Sequence, residues 1–310
     1  MLNNAIPIKI QPMKRFLPSN ISPEQVTTCV GLISDTHMPE RWRTLPTAVS
    51  TIFSNVDLIL HAGDVGELWV LDELSRITPV TAVHGNDETE EATRELPYQQ
   101  LITISGQRIL LWHNHYQDRI DEMASRKGDN FVDKLERSVQ RGRRANASLV
   151  VMGHWHIPLL YEKDGVQVVN PGAIASGNFM AKQAVQTVAL LFMLKNGRFH
   201  ITHVNLAQPG IPYTPPVVFE EGFVANLKKF SDTILAEELT AVQHQLFPNL
   251  YHLAPKPLTA IWYKLAHECW AGQRNVITID ALLQHVAESP AMTDEVKEQV
   301  QEGLMGMVNE

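Results

Sequence analysis

Leu58-Ile59-Leu60-His61-Ala62-Gly63-Asp64 is an apolar run that stops at a glycine and a carboxylate. It reads as a buried strand that delivers its last residue to the rim of a sheet, where open α/β architectures bind their ligands. Gly63 lets the backbone turn tightly there. Taken alone, Asp64 serves equally well as a turn former or as a ligand. Four further stretches repeat the design. Residues 28–34 run into Asp35-Thr36-His37, and 80–83 into His84-Gly85-Asn86-Asp87-Glu88. Residues 108–112 run into His113-Asn114-His115, and 148–152 into Gly153-His154-Trp155-His156.

The segments between these runs fix the fold class. Helices are predicted over 46–53, with Pro46 in the first turn, and over 67–76, with apolar residues at 68, 70, 71 and 74. The resulting βαβαβ order predicts an α/β fold with a parallel or mixed sheet and a site along one edge. Hairpins are predicted at 101–112, 158–169 and 185–205, where Gly106, Gly165 and Asn196-Gly197 mark the turns. A polar helix is expected over 130–141. Residues 1–27 carry Pro7, Pro12, Pro18 and Pro23 and read as an extended arm laid over another surface. Residues 206–218, with Pro209, Pro212, Pro215 and Pro216, read as a linker. Beyond it the pattern is all helical, over 220–246, 257–270, 279–289 and 293–307, so a small helical domain is expected across 219–310. Thr293 with Asp294 and Glu295 fits a capped helix start, and Ile261, Trp262, Leu265 and Cys269 form one apolar face.

The 310 residues, 44% of them hydrophobic and 19% charged, allow one large or two moderate domains. A net charge of −8 argues against general nucleic-acid binding, which needs a basic face. It leaves room for a nucleotide or phosphodiester held through metal ions, which supply positive charge locally. Cys29 and Cys269 are far apart and lack metal-type spacing, as suits a reducing compartment. Residues 1–20 hold no apolar core of signal-peptide length, and no run reaches the length of a membrane-spanning helix. A cytoplasmic protein without membrane contact is the expectation.

The strand-end residues Asp35, His37, Asp64, Asn86, His113, His154 and His156 form a mixed oxygen and nitrogen donor set, unlike a thiolate-rich structural zinc site. Asp-x-His at 35/37 and His-x-His at 154/156 each put two side chains on one side of an extended backbone. Seven donors are too many for one ion and suit two ions sharing a carboxylate, about 3.5–4 Å apart. Asp64 is the natural bridge.

Six ordered blocks, SDTHMP at 34–39, HAGDV at 61–65, HGND at 84–87, WHNH at 112–115, GHWH at 153–156 and NPGA at 170–173, resemble the calcineurin-like metallophosphoesterases over residues 28–205. The likeness is greatest to the small bacterial and archaeal phosphodiesterases related to the retromer subunit Vps29. The resemblance implies a four-layer αββα sandwich of two mixed β-sheets, here followed by a C-terminal all-helical appendage. It implies that Asp35, His37 and His156 hold one ion, that Asn86, His113 and His154 hold a second, and that Asp64 bridges them. Asp64, Asn86 and His113 are then the catalytic positions. The implied cofactor is a pair of divalent ions, Mn²⁺ first, with Fe, Zn, Ni and Mg as alternatives. The implied reaction is in-line attack on phosphorus by a hydroxide held between the ions. The implied substrate is a small phosphodiester or nucleotide. A phosphomonoesterase, or a Vps29-like scaffold with little catalysis, remains an alternative. A homo-oligomer or a protein partner engaged through the C-terminal helices also stays open.

Four positions depart from the family pattern. Asp87 stands where many members carry a histidine that protonates the leaving group, although the small members often lack it too. Asn114 replaces a usual glycine, and Ala173 a usual serine. An arginine common soon afterwards has only Lys182 as a substitute. Around the blocks, His115 faces the same pocket or bonds to backbone, and His61 and His84 read as structural. Trp155 lines the pocket or packs outward. Asn170 is expected to bond to the backbone of the site loop.

Overall fold

Strands that are apolar on both faces need cover on both faces. The computed structural model, which describes residues 11–309, supplies that cover with two sheets and two sets of helices. In chain order the strands are β1 (Val26–Ile33), β2 (Leu58–His61), β3 (Val80–Ala82), β4 (Gln99–Ile104), β5 (Gln107–Trp112), β6 (Leu149–Val151), β7 (Leu159–Lys163), β8 (Val166–Asn170), the short β9 (Ala181–Gln183), β10 (Thr187–Leu194) and β11 (Phe199–Asn205). One sheet has the order β11-β10-β1-β2-β3 and the other β4-β5-β6-β8-β7. Both are mixed. β1, β2 and β3 run parallel, while β10 pairs antiparallel with β1. β5, β6 and β8 run parallel, while β4 and β7 are antiparallel edges.

Side-chain alternation sorts the strands into layers. Val30, Leu32, Leu60, Leu111, Val151 and Leu191 meet in the core between the sheets. The opposite faces of the first sheet, including Ile33, Ile59 and Phe192, pack on α1 (Thr47–Phe53) and α2 (Trp69–Ser75). The outer face of the second sheet, including Leu110, Trp112 and Val168, packs on Phe131, Leu135 and Val139 of α5 (Phe131–Arg144). This is the four-layer αββα sandwich that the sequence resemblance implies. Each fully buried Leu, Ile or Phe contributes about 1.5–3 kcal/mol, and the largest gain comes where both faces of a strand are dry.

Two expectations about the chain's ends need correction. The described part of the proline-rich arm forms two 3-10 turns, Gln11–Phe16 and Pro23–Gln25, which seal the first sheet with buried Met13 and Phe16. Residues 1–10 of that arm lie outside the described residues. The helix expected over 220–246 is broken. Gly222 takes φ +86°, a short α6 (Phe223–Leu227) follows, and β12 (Ser231–Thr233) interrupts before α7 (Glu237–Leu250). Phe219, Phe223, Leu227 and Phe230 pack with the α5 layer. Apolar spacing alone cannot register such a break, because those phenylalanines serve a different core from the helices that follow.

The chain accordingly divides at 231/232 rather than at 218/219. Its first compact unit runs to Gly177 and resumes over Gln183–Ser231, and its second joins Asn178–Lys182 to the chain from Asp232 onward. The second unit is built on α7, α8 (Pro255–Trp270), α9 (Ile279–Glu288) and α10 (Asp294–Asn309). Ile261, Trp262, Leu265 and Cys269 of α8 all point into its core, beside Leu246, Val286, Val300 and Leu304. The excursion 178–182 belongs to this unit, where Trp270 donates its indole N–H to Ala181 O at 2.8 Å. Among the described residues, no helix is long and apolar enough to cross a membrane.

Candidate metal centre

Parallel order puts the C-terminal ends of β1, β2 and β3 on one edge of their sheet, and those of β5, β6 and β8 on one edge of theirs. The residues that follow are bent into an unusual backbone. Asp35, His37, Asp64, His154 and His156 all have positive φ, between 43° and 73°. This is the left-handed region, which non-glycine residues rarely adopt and which costs about 1–3 kcal/mol each. The strain is concentrated on the side chains that were candidates for chemistry.

Those side chains form two groups, Asp35 with His37 and His156, and Asp64 with His113 and His154. Asp35 Oδ1 is 3.2 Å from His156 Nε2 and 4.0 Å from His37 Nε2. Asp64 Oδ2 lies 3.1 Å from His113 Nε2 and 3.5 Å from His37 Nε2, so it reaches a member of each group. Its other oxygen, Oδ1, accepts the Asp87 backbone N–H at 2.9 Å. Backbone carbonyls aim the rings. His113 Nδ1 donates to Ala62 O at 2.7 Å and His156 Nδ1 to Ala175 O at 2.9 Å, which leaves both Nε2 atoms facing the carboxylates. Such outer contacts commonly fix the tautomer of a metal-binding histidine.

Apart from half-buried His154 and exposed Asn86, the candidate donors are buried, and their charges respond to each other. Burial pushes the Asp35 carboxyl up, but His156 and His113 outweigh it and hold the group at about 2. Burial pushes His113 down, yet Asp64 beside it carries the ring up to about 9. Burial wins at His37, which falls to about 3. The Nε2 atoms of His37 and His113 are buried and have no hydrogen-bond partner among the described residues. Buried imidazole nitrogens facing two buried carboxylates are a donor set that divalent cations fit, displacing the proton that Asp64 holds on His113.

Asn86 is placed differently from the other six. It is exposed, on the loop after β3. That loop is nonetheless pressed against Asp64, since a Cβ at Gly85 would strike the Asp64 side chain. Gly63 is similarly constrained, with φ +90° and room for no Cβ, which would lie 2.7 Å from His113 Nδ1. His61 is structural. Its Nε2 meets Thr36 Oγ1 at 3.0 Å and its Nδ1 accepts Gly63 N–H at 3.2 Å. Asn170 holds the site loops, donating to Gly153 O at 3.0 Å and accepting Gly172 N–H at 2.9 Å. His115 is buried within ring-contact distance of both His113 and His154. Trp155 packs edge-on against Phe131 and Phe223.

Three neighbours of the candidate site escaped sequence reasoning. Glu88 accepts the backbone N–H groups of Val65, Gly66 and Gly85 and so locks two site loops together. Arg41 is buried, donates to Ser176 O and Gly177 O, and pairs with Asp87. Glu122, on α4 (Arg119–Ser125), meets His154 Nε2 at 3.0 Å. Only the HGNDE string carried a hint of Glu88. Arg41 and Glu122 sit in segments with no strand-end pattern.

The family model described as the calcineurin-like phosphoesterase superfamily domain matches residues 29–196. The chain belongs to that superfamily. A probable metallophosphoesterase of Methanothermobacter thermautotrophicus is 33% identical over 144 residues, covering 46% of this chain and 76% of that one. A probable metallophosphoesterase of Methanocaldococcus jannaschii is 32% identical over 147 residues, covering 47% and 68%. Among solved structures, vacuolar protein sorting 29 of Cryptosporidium parvum aligns with a TM-score of 0.43 at 21% identity, over 58% of this chain and 98% of that one. The matched region contains all seven candidate donors and ends before the C-terminal helices that start at Glu237. As a member of this superfamily the chain is a candidate hydrolase whose Asp and His groups suit divalent metals.

Proposed function

We propose that this chain is a dinuclear-metal phosphodiesterase. The observation that carries the reading is Asp64 Oδ2, within 3.5 Å of ring nitrogens from both donor groups. Asp35, His37 and His156 would hold one ion, and His113, His154 and Asn86 the other, with Asp64 common to both. When bound, the ions supply an activated hydroxide for in-line attack and offset charge on the phosphoryl oxygens.

The chain's own residues do the rest. Asp35 and Asp64 furnish the negative charge that retains two cations in a buried site. The Nδ1 contacts of His113 and His156 keep their Nε2 lone pairs turned inward. Mn²⁺ suits this mixture of carboxylate, imidazole and amide donors. Burial, the larger effect, pushes the Asp87 carboxyl up, while its pairing with Arg41 favours the carboxylate. With no histidine at this position, the enzyme should prefer esters whose alcohols leave readily. The two thiols, Cys29 and Cys269, are buried and free, in keeping with a cytoplasmic protein.

The test is hydrolysis of bis-p-nitrophenyl phosphate and p-nitrophenyl phosphate by chelator-stripped protein reloaded with Mn²⁺, Fe²⁺, Zn²⁺, Ni²⁺ or Mg²⁺. We expect Mn²⁺-dependent turnover, faster on the diester, and its loss in Asp64→Asn. A wild-type protein inert with every ion would end the enzymatic reading, and a preference for the monoester would make it a phosphomonoesterase.

A further inference from the structure

Beside the metal centre, in the same unit, lies a cleft of about 40 Å³ that shares His154 as one wall. By size it has room for about three water-sized groups. The other walls include Lys134 and Arg137 of α5, Asn114 and Trp155. Lys134 and Arg137 are one helical turn apart and lie on the same face.

Neither Lys134 nor Arg137 is within ion-pair distance of a carboxylate among the described residues. Asp129 and Glu122 are the carboxylates whose fields act on Lys134. Both are committed elsewhere, Glu122 to His154, Arg126 and the Tyr116 N–H, and Asp129 to the Val224 N–H. The Lys134 ammonium donates to Ser125 O at 2.5 Å and lies 5.1 Å from the centre of the Phe223 ring, and with three donors it keeps capacity for a ligand. Arg137 is held rigidly. It donates to Asn114 O at 2.8 Å and His115 O at 3.1 Å, with its guanidinium carbon 3.4 Å from the centre of the Tyr116 ring. Asn114 is 3% exposed and has φ +81°, and its amide nitrogen is buried without a hydrogen-bond partner among the described residues. Two half-buried cations and an unmatched amide donor around one small cleft are what an oxyanion would satisfy.

We propose that this cleft is an anion-accepting subsite that binds a second acidic group, phosphate or carboxylate, of the substrate while its ester phosphorus lies at the metal centre. The substrate class is thus a phosphodiester with an additional anionic substituent. This rests on the phosphodiesterase reading of the neighbouring centre. Lys134 supplies the mobile contact, and Arg137 sets the field and holds the 114–115 carbonyls.

Two measurements on the full chain test it. In the first, inorganic phosphate is titrated calorimetrically into chelator-stripped protein at low salt. We expect one site that weakens about tenfold in Lys134→Ala, is abolished in Lys134→Glu and is largely kept in Lys134→Arg, a tenfold change being what one charge-assisted hydrogen bond provides. Equal binding by wild type and a folded Lys134→Ala, or no binding by wild type, overturns the subsite. In the second, Mn²⁺-loaded protein is given bis-p-nitrophenyl phosphate, p-nitrophenyl 2-carboxyethyl phosphate and p-nitrophenyl 2-phosphonoethyl phosphate. The kcat/KM ratio of the anionic esters to the neutral-substituent ester should exceed one and fall about tenfold in Lys134→Ala. Whichever of the two anionic esters gains more identifies the acidic group, and a ratio unaffected by the substitution contradicts the proposal. Lys134-dependent phosphate binding without any metal-dependent turnover would defeat the phosphodiesterase reading and leave the subsite standing.

Discussion

Glu122 shows how much a single side chain outside the motifs can contribute. It is 7% exposed, and its carboxylate takes His154 Nε2, Arg126 Nε and the Tyr116 N–H. With Nε2–H donated to Glu122, the Nδ1 lone pair of His154 is the one left for a cation. Removing such an outer contact typically costs 10–100-fold in metal affinity. If the proposed two-ion site is right, Glu122→Ala should weaken one of two Mn²⁺ equivalents by about that factor, with the other little changed. Titration of stripped protein checks this, and two unchanged equivalents would exclude the role. His203 makes a separate prediction about stability. Its ring is buried, donates through Nε2 to Asn170 O at 2.8 Å, and is pushed by burial down to about 4. Above pH 6.5 the ring is neutral folded and unfolded. Between pH 6.5 and 4 only the unfolded chain takes the proton, so stability falls by about 3 kcal/mol, and no further below pH 4. His203→Gln keeps a donor and removes the titration. Urea midpoints across that range should be flatter for the variant than for wild type.

At the scale of elements, the loops are organised by what the strands deliver. The turn after β2 works only because Gly63 accepts φ +90° against His113. Gly63→Ala adds backbone strain of about 1–3 kcal/mol and a collision with that ring. It should lower the melting temperature and reduce bound Mn²⁺ together; a variant melting and loading like wild type would show that the loop can yield. These elements were readable in the sequence for a physical reason. Both β1 and β10 present apolar residues on both faces, and strands buried on both sides announce themselves as unbroken runs. The polar residue that ends each run is conspicuous by contrast, which is why Asp35, His37, Asp64, His113, His154 and His156 could be picked out. The rest was illegible for equally physical reasons. α4 has exposed Ile120 and Met123 and an inward Glu122, so its hydrophobic pattern points the wrong way. Arg41 is 46 residues from Asp87 in sequence, and only the fold makes them neighbours. The segment 219–231 has helical spacing but belongs to the sandwich's outer layer, and spacing does not say which core a phenylalanine will join.

At the scale of the whole molecule, the proposed metal binding would be coupled to folding. A centre made of loops from both sheets exists only in the folded chain, so ions that bind it draw the equilibrium toward the native state. At a free Mn²⁺ concentration 100 times the dissociation constant, one site contributes about 2.7 kcal/mol. Melting should rise on reloading stripped protein and fall again with chelator, and a melt indifferent to both would argue that the loops are held without metal. The left-handed backbone of the candidate donor residues has a further consequence, for how the site tolerates change. At Asp35, His37, Asp64, His154 and His156 each substitution is filtered twice, once for its donor atoms and once for its willingness to adopt positive φ. Asparagine and glycine pass the second filter, and valine, isoleucine and threonine fail it. A full substitution map scored for protein abundance rather than activity should therefore rank Asp64→Asn and Asp64→Gly above Asp64→Val, an order that donor chemistry alone does not produce. Lineages that lose the chemistry would be expected to drift first to asparagine or glycine at these positions.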